Sequence, residues 1–397
     1  MHGSPRVKLR VILLVGAISL APFVGARLIG HKERATPTLS VMQTLGPGPA
    51  DDRFARAAGP REFCFPRDHG PHPEFRNEWW YWTGNLESSG GHRYGYQLTI
   101  FRSALQPEVA VGRTSAWATR DVYMAHFTLT DVATGRFFAY ERISRAAVDL
   151  AGARASPFRV WILDWSAEGP ILADAAATPM RLRAQNERVA IDFELEQGKA
   201  PVLQGDHGLS EKGRQPGNAS YYYSLTRMPT AGFVAVGDDR VPVRGESWMD
   251  REWSTSALDA DQVGWDWVGL QLADGRDLMF FRLRRVDGSS HPMSSGALVE
   301  RDGTSRRLSA EEVTMEPVGS WTSSRSMTTY PALFRMRVAA VGLDLEIIPL
   351  VKDQELDLTF RYWEGAARVQ GSASGEPLTG RGYLEMTGYG DTPHPTR

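Results

Sequence analysis

The chain has 397 residues, 45 of them basic and 47 acidic, for a formal net charge of -2. A nucleic-acid binder would concentrate basic residues on one domain, and no such asymmetry is present. With 42% hydrophobic and 23% charged residues the composition is globular rather than disordered, and the length suits two ordinary domains.

Arg6, Lys8 and Arg10 precede an apolar run over residues 11–24 that ends in Val24-Gly25-Ala26. A positive start, an apolar stretch and small residues are the marks of an export signal. The run is shorter than the ~20 residues of a comfortable bilayer span. Residues 1–26 therefore read as a signal peptide or a membrane anchor, and the protein as periplasmic or secreted, with residues 11–26 able to hold it at the inner membrane. Residues 27–61 are polar, rich in Pro, Gly and Ala, and without periodicity, which predicts a flexible linker. Cys64 is the single cysteine, so no intrachain disulfide forms, and it is expected as a buried small hydrophobe.

Residues 65–73 follow. His69 and His72 stand near Asp68 and Glu74, as metal ligands would. The surrounding Pro and Gly make an extended loop, and no third His lies nearby, so no metal is expected. The loop reads as solvent-exposed or as a lid, and His69 would reach a catalytic carboxylate if the lid closed.

From Glu78 onward the pattern has period two. Strands are predicted over residues 94–102, 122–130, 136–141, 159–166, 180–184, 189–196 and 221–227. In the second half they fall at 266–272, 277–285, 297–300, 305–308, 330–338, 343–349, 356–362 and 382–387. Asp302-Gly303 is a strong hairpin signal. Few windows show helical spacing, and the best, 310–315, is short. Many short strands with regular turns indicate an all-β sandwich or barrel. Trp80-x-Trp82-x-Gly84 corresponds to Trp265-x-Trp267-x-Gly269, each followed by a Phe-Arg pair, at Phe101-Arg102 and Phe281-Arg282. This suggests two copies of one β unit, divided between Pro229 and Val243, with domains at 62–232 and 240–392.

Two Trp-rich segments carry the chemistry. In Trp248-Met249-Asp250-Arg251-Glu252-Trp253, strand alternation places Trp248, Asp250 and Glu252 on one face and Met249, Arg251 and Trp253 on the other. Two acids on one face beside an indole repel, and one is pushed toward its protonated form. A neutral carboxylic acid in an apolar site is a general acid near neutral pH. The alternative is a structural network in which Arg251 pairs with the acids. The second segment, Glu78-Trp79-Trp80-Tyr81-Trp82, mixes rings and acid in the same way, as does Trp265-Asp266-Trp267. His126 lies in an apolar strand, where a satisfied core histidine is the default. Tyr221-Tyr222-Tyr223 alternates its phenols, so at least one faces inward. No G-x-S-x-G elbow, Walker loop or dinucleotide fingerprint is present.

The stretches 65–72, 78–86 and 95–102, with Trp248-Met249-Asp250-Arg251-Glu252-Trp253 and Gly264-Trp265-Asp266-Trp267, resemble the AttH family over roughly residues 62–390. That family is often labelled as secreted hydrolases and is related to carotenoid 1,2-hydratases. The resemblance implies an all-β chain of two tandem lipocalin-like antiparallel β-barrels. It also implies that Asp250 matches the hydratases' proton donor, although Arg251 and Glu252 stand where they tend to have His and Asn.

The expected function is addition of water to an alkene of an apolar isoprenoid or lipid, without a cofactor. Asp250 would give the proton, and Glu252 or His69 would position the water. Trp248, Trp253, Trp265 and Trp267 would face the cation, with Glu78, Trp79, Trp80 and Tyr96 among the ligand-binding residues. Gln97, His126, Tyr222 and Arg251 complete that set. The alternatives are a non-catalytic lipid carrier linked to a transporter component, and a hydrolase. The site is expected where the two barrels meet.

Overall fold

The computed structural model describes residues 53–107, 115–170, 178–255 and 258–390. Period-two patterning becomes two antiparallel sheets. The first runs from Arg136–Arg145 through Asp121–Asp131, Arg93–Ala104 and Asn77–Ser88 to Asp239–Ser254, then Ala219–Val236, and on to Ala151–Ala155. The second has Gln262–Leu272 at its centre, flanked by Asp277–Arg285 and Glu376–Thr387, with Arg361–Ala373 beyond. Each sheet curls into a barrel-like shell around its own apolar core: Trp80, Trp82, Phe127 and Trp253 in the first, Phe334, Leu345 and Trp363 in the second. A third cluster, with Tyr81, Tyr222, Trp248 and Trp267, joins the shells. Among the described residues no helix is long and apolar enough to cross a membrane.

Several expectations need correction. The first sheet keeps Asp239–Ser254, which pairs with both Asn77–Ser88 and Ala219–Val236. The passage between sheets therefore falls after Ser254, not between Pro229 and Val243. The reason is a long hairpin: Ala219–Val236 turns at Gly237 (φ 62°) and returns as its own neighbour. The window 310–315 is not helical. Glu312 caps a turn, accepting from Ser309 N at 2.9 Å, and Val313 begins a strand. Residues 159–166 divide into two strands at Leu163, which takes a left-handed φ of 55°. Cys64 is exposed. The end of the expected linker is packed: Phe54 and Ala57 are buried, and Tyr221 donates to Gly59 O at 2.8 Å. Residues 1–52, with the signal or anchor, lie outside the described residues.

The internal repeat is present in a different frame. Trp79 stands opposite Phe101, and Trp267 opposite Phe281, on paired strands. Beside them Glu78 is ion-paired to Arg102, and Asp266 to Arg282 at 3.0 Å. The corresponding units are Glu78-Trp79 and Asp266-Trp267, three positions out of step with the match of Trp80 to Trp265. An odd shift exchanges the faces of a strand, so Trp80 points into the first core while Trp265 opens onto the gap between sheets.

Candidate functional site

The gap between the sheets is a cavity with about 830 Å³ of empty space, solvent at its open mouth included. One wall is Trp79, Tyr81, Tyr222, Asp250 and Glu252 of the first sheet. The other is Trp265, Trp267, Phe281, Glu364 and Glu385 of the second, and Lys212 reaches in from the segment before Ala219–Val236.

Asp250 is 4% exposed. Its Oδ1 accepts from Ser224 Oγ at 2.6 Å and from Trp248 Nε1 at 2.7 Å, and its Oδ2 from the Tyr222 hydroxyl at 2.5 Å. Trp267 Nε1 in turn donates to the Tyr222 oxygen at 3.2 Å. Burial pushes the carboxyl up to about 7, against the three hydrogen bonds, and nearby Glu252 adds to the rise. Burial thus does more than the Glu252 repulsion that the sequence suggested. Glu252 has Lys212 Nζ at 3.3 Å. That ammonium lies 3.9 Å from the Phe281 ring centre, and burial pulls its pKa down.

The second wall carries acids that the sequence reading passed over. Glu364 and Glu385 are directly opposite on paired strands. Burial raises both, Glu385 to about 8 and Glu364 well above the usual carboxylate range. Glu364 Oε2 accepts from the Tyr81 hydroxyl at 3.1 Å. Gly269 makes room for the site, because a Cβ there would come within 2.6 Å of the Trp267 ring.

The structure thus brings Asp250, Glu252, Trp79, Tyr222, Trp265 and Trp267 together on the cavity, with Trp248 bonded behind Asp250. It separates the rest. Arg251 and Trp253 lie on the other strand face, inside the first barrel. There Arg251 is ion-paired to Glu78, and its guanidinium lies 3.9 Å from the centre of the Trp80 ring. Burial alone would raise Glu78; Arg251 and Arg102 outweigh it and hold the carboxyl well below the usual range. The 65–73 loop plugs that barrel end rather than covering the cavity. His72 stacks on Trp253 at 3.7 Å between ring centres, and His69 Nδ1 is 2.6 Å from the Tyr223 hydroxyl. Burial brings His69 down to about 4, and it does not face Asp250. Trp80 donates to His69 O at 2.8 Å. Tyr96 is interior, its hydroxyl 2.6 Å from Ser247 Oγ. Gln97 donates to Thr99 Oγ1 and stops short of the cavity. His126 bridges Tyr362, at 2.7 Å, and Glu141, at 3.1 Å, outside the lining.

The AttH-like family matches residues 56–389. The chain belongs to that family. An AttH protein from Nitrosomonas europaea is 35% identical, with 85% of this chain and 100% of that one covered and a TM-score of 0.74. Kievitone hydratase from Nectria haematococca shares the fold at 13% identity, covering 85% and 96% of the two chains with a TM-score of 0.63. No curated protein matches the chain in sequence. The fold of this AttH-like protein is that of the lipocalin-like hydratases, two barrel-like antiparallel sheets.

Proposed function

We propose that this AttH-like protein adds water to a carbon–carbon double bond of an apolar isoprenoid or lipid, with Asp250 as the proton donor. The observation that carries this reading is the Asp250 carboxyl, buried on an aromatic cavity wall, clasped by three donors and held neutral up to about pH 7. A neighbour that bears the name of a hydratase supplies the reaction class.

An isolated alkene is a weak base, so its protonation needs an acid that is both neutral and positioned. Asp250 gives its proton to one alkene carbon, leaving a carbocation on the other. Tyr222, Ser224 and Trp248 then hold the carboxylate left behind, and the faces of Trp265 and Trp267 attract the cation by about 0.5–2 kcal/mol each. Water adds to the cation and passes its proton to Glu252, which is ion-paired to Lys212. Glu252 releases that proton to solvent as Asp250 regains one, which restores both carboxyls, and the net change is one water gained by the ligand.

The test is incubation of a mixed isoprenoid and lipid extract with the parent and with Asp250→Asn, followed by mass spectrometry of bound and released ligand. The expected result is a gain of one water with the parent only, while the variant still retains apolar ligand. Hydration by the Asn variant at the parental rate would sink the mechanism, and intact ligand from both proteins would favour a carrier. We also propose export directed by residues 1–26; N-terminal sequencing of the protein from the periplasmic fraction tests it, and recovery only in the cytoplasm would contradict it.

A further inference from the structure

The two walls of the cavity are built on one plan and differ in charge. By register Glu252 stands opposite Trp79, and Glu385 opposite Trp267. One strand further, Tyr222 stands opposite Glu252, and Glu364 opposite Glu385. Glu252 and Glu385 are thus equivalent positions of the repeat, on opposite sides of the same space.

Their surroundings are not equivalent. Glu252 has a cation, Lys212 Nζ, at 3.3 Å. At the other wall a second acid, Glu364, takes the position of Tyr222, and among the described residues no Lys, Arg or His is ion-paired with Glu364 or Glu385. Their partners are neutral donors, the Tyr81 hydroxyl and Trp265. Like charges directly opposite on adjacent strands are unfavourable, and burial adds to that cost. Around the pair stand the rings of Tyr81, Trp265 and Trp267, whose faces attract cations. Two carboxyls lacking a protein cation, set among aromatic faces in a cavity, complement a ligand that brings a positive charge of its own.

We propose that the Glu364–Glu385 wall receives the positively charged group of an apolar organic monocation, such as a substituted ammonium on a hydrocarbon body. The apolar body lies along the rings, and the charge sits between the two carboxyls. The same wall would face the positive carbon formed by protonation at Asp250, but the inference needs no turnover and stands apart from that step. Binding of the cation expels a proton from the pair, so affinity rises with pH as the pair ionises. Other groups face it: Asp250 and Glu252 across the cavity, Lys212 beside Glu252, and the phenols of Tyr81, Tyr362 and Tyr383. Burial keeps those three phenols neutral over the range used. Asp250 is raised by burial as well and acts in the same direction.

The experiment titrates the purified protein with octyltrimethylammonium, octan-1-ol and octanoate, following tryptophan fluorescence at about pH 6 and about pH 8.5. The ammonium is expected to bind at least about tenfold more tightly than the alcohol, the sum of a carboxylate and ring contribution. Octanoate should bind most weakly, and the preference for the ammonium should widen at the higher pH. Glu385→Gln and Glu364→Gln should reduce that preference while leaving octan-1-ol binding within a factor of about two. Ammonium binding no tighter than the alcohol, or a preference unchanged in Glu385→Gln, would overturn the proposal. The headgroup series on the parent decides the matter even where a variant fails to fold. No readout involves hydration, so failure here leaves the role of Asp250 standing.

Discussion

The strand Asp239–Ser254 has two faces that treat carboxyls in opposite ways. On its barrel-facing side Arg251 meets Glu78, with Arg102 on the next strand but one, and the carboxylate is held ionised at complete burial. On its cavity side, one residue away in sequence, Asp250 is buried to a similar degree with neutral donors only, and burial pushes it up to about 7. Depth alone therefore does not determine the charge of these two acids; at Glu78 two guanidinium groups outweigh burial, and at Asp250 the neutral donors do not. The first face is a brace that closes the barrel end, and the second is a store of protons.

The contrast is broken most sharply at Glu78. Glu78→Gln leaves Arg251 and Arg102 with less than their charge complement in a closed interior, and unfolding free energy should fall by about 3–5 kcal/mol. A loss below about 1 kcal/mol in chemical unfolding would show that the brace is ornamental. Glu78 has a depressed folded pKa, so its contribution is present above its unfolded value and is lost as pH falls through the folded one.

The cavity acids carry the reverse sign. Glu385 and Asp250 are raised, so the folded state binds more protons than the unfolded state between about pH 4 and their folded values near 7–8, and stability declines as pH climbs through that window. Glu385→Gln removes part of this decline. Its melting temperature should exceed the parent's at about pH 8, and the advantage should fade toward about pH 4, where both states hold the proton. An advantage independent of pH would contradict the assignment.

Two smaller changes sharpen the comparison at the walls. Gly269→Ala should displace the Trp267 ring and weaken apolar-ligand binding several-fold, on the order of 1 kcal/mol, with a modest effect on melting. Unaltered ligand affinity would mean that this ring does not shape the occupied space. Trp265→Leu, at the half-exposed side of the cavity, should cost cation binding about 0.5–1 kcal/mol in the same fluorescence titration. It should leave the brace untouched.

Much of this was legible in the chain. Alternation in 248–253 correctly placed Trp248, Asp250 and Glu252 together, because a strand admits only two faces. It did not reveal which face met the cavity and which met the barrel. From alternation alone Arg251, Trp253, Trp80 and Glu78 are expected at the ligand, whereas they pack within the first barrel. Glu364 and Glu385 went unread for a related reason. Each follows a tyrosine by two residues in a strand, Tyr362-x-Glu364 and Tyr383-x-Glu385, with no tryptophan repeat to draw notice. Aligning Glu78-Trp79 with Asp266-Trp267 puts Glu385 where Glu252 stands, but the frame rests on pairing across strands, which one chain read in isolation does not display. His69 and His126 found partners in Tyr223 and Tyr362, long-range contacts of the same kind.

The account rests most heavily on the protonation state of Asp250. Carbon-13 NMR of the aspartate carboxyls, with the Asp250 resonance assigned by its loss in Asp250→Asn, gives that state directly as pH is varied. The expected titration midpoint is about 7. A midpoint near the ordinary aspartate value of about 4 would mean an ionised Asp250 at neutral pH, and with it no proton to give.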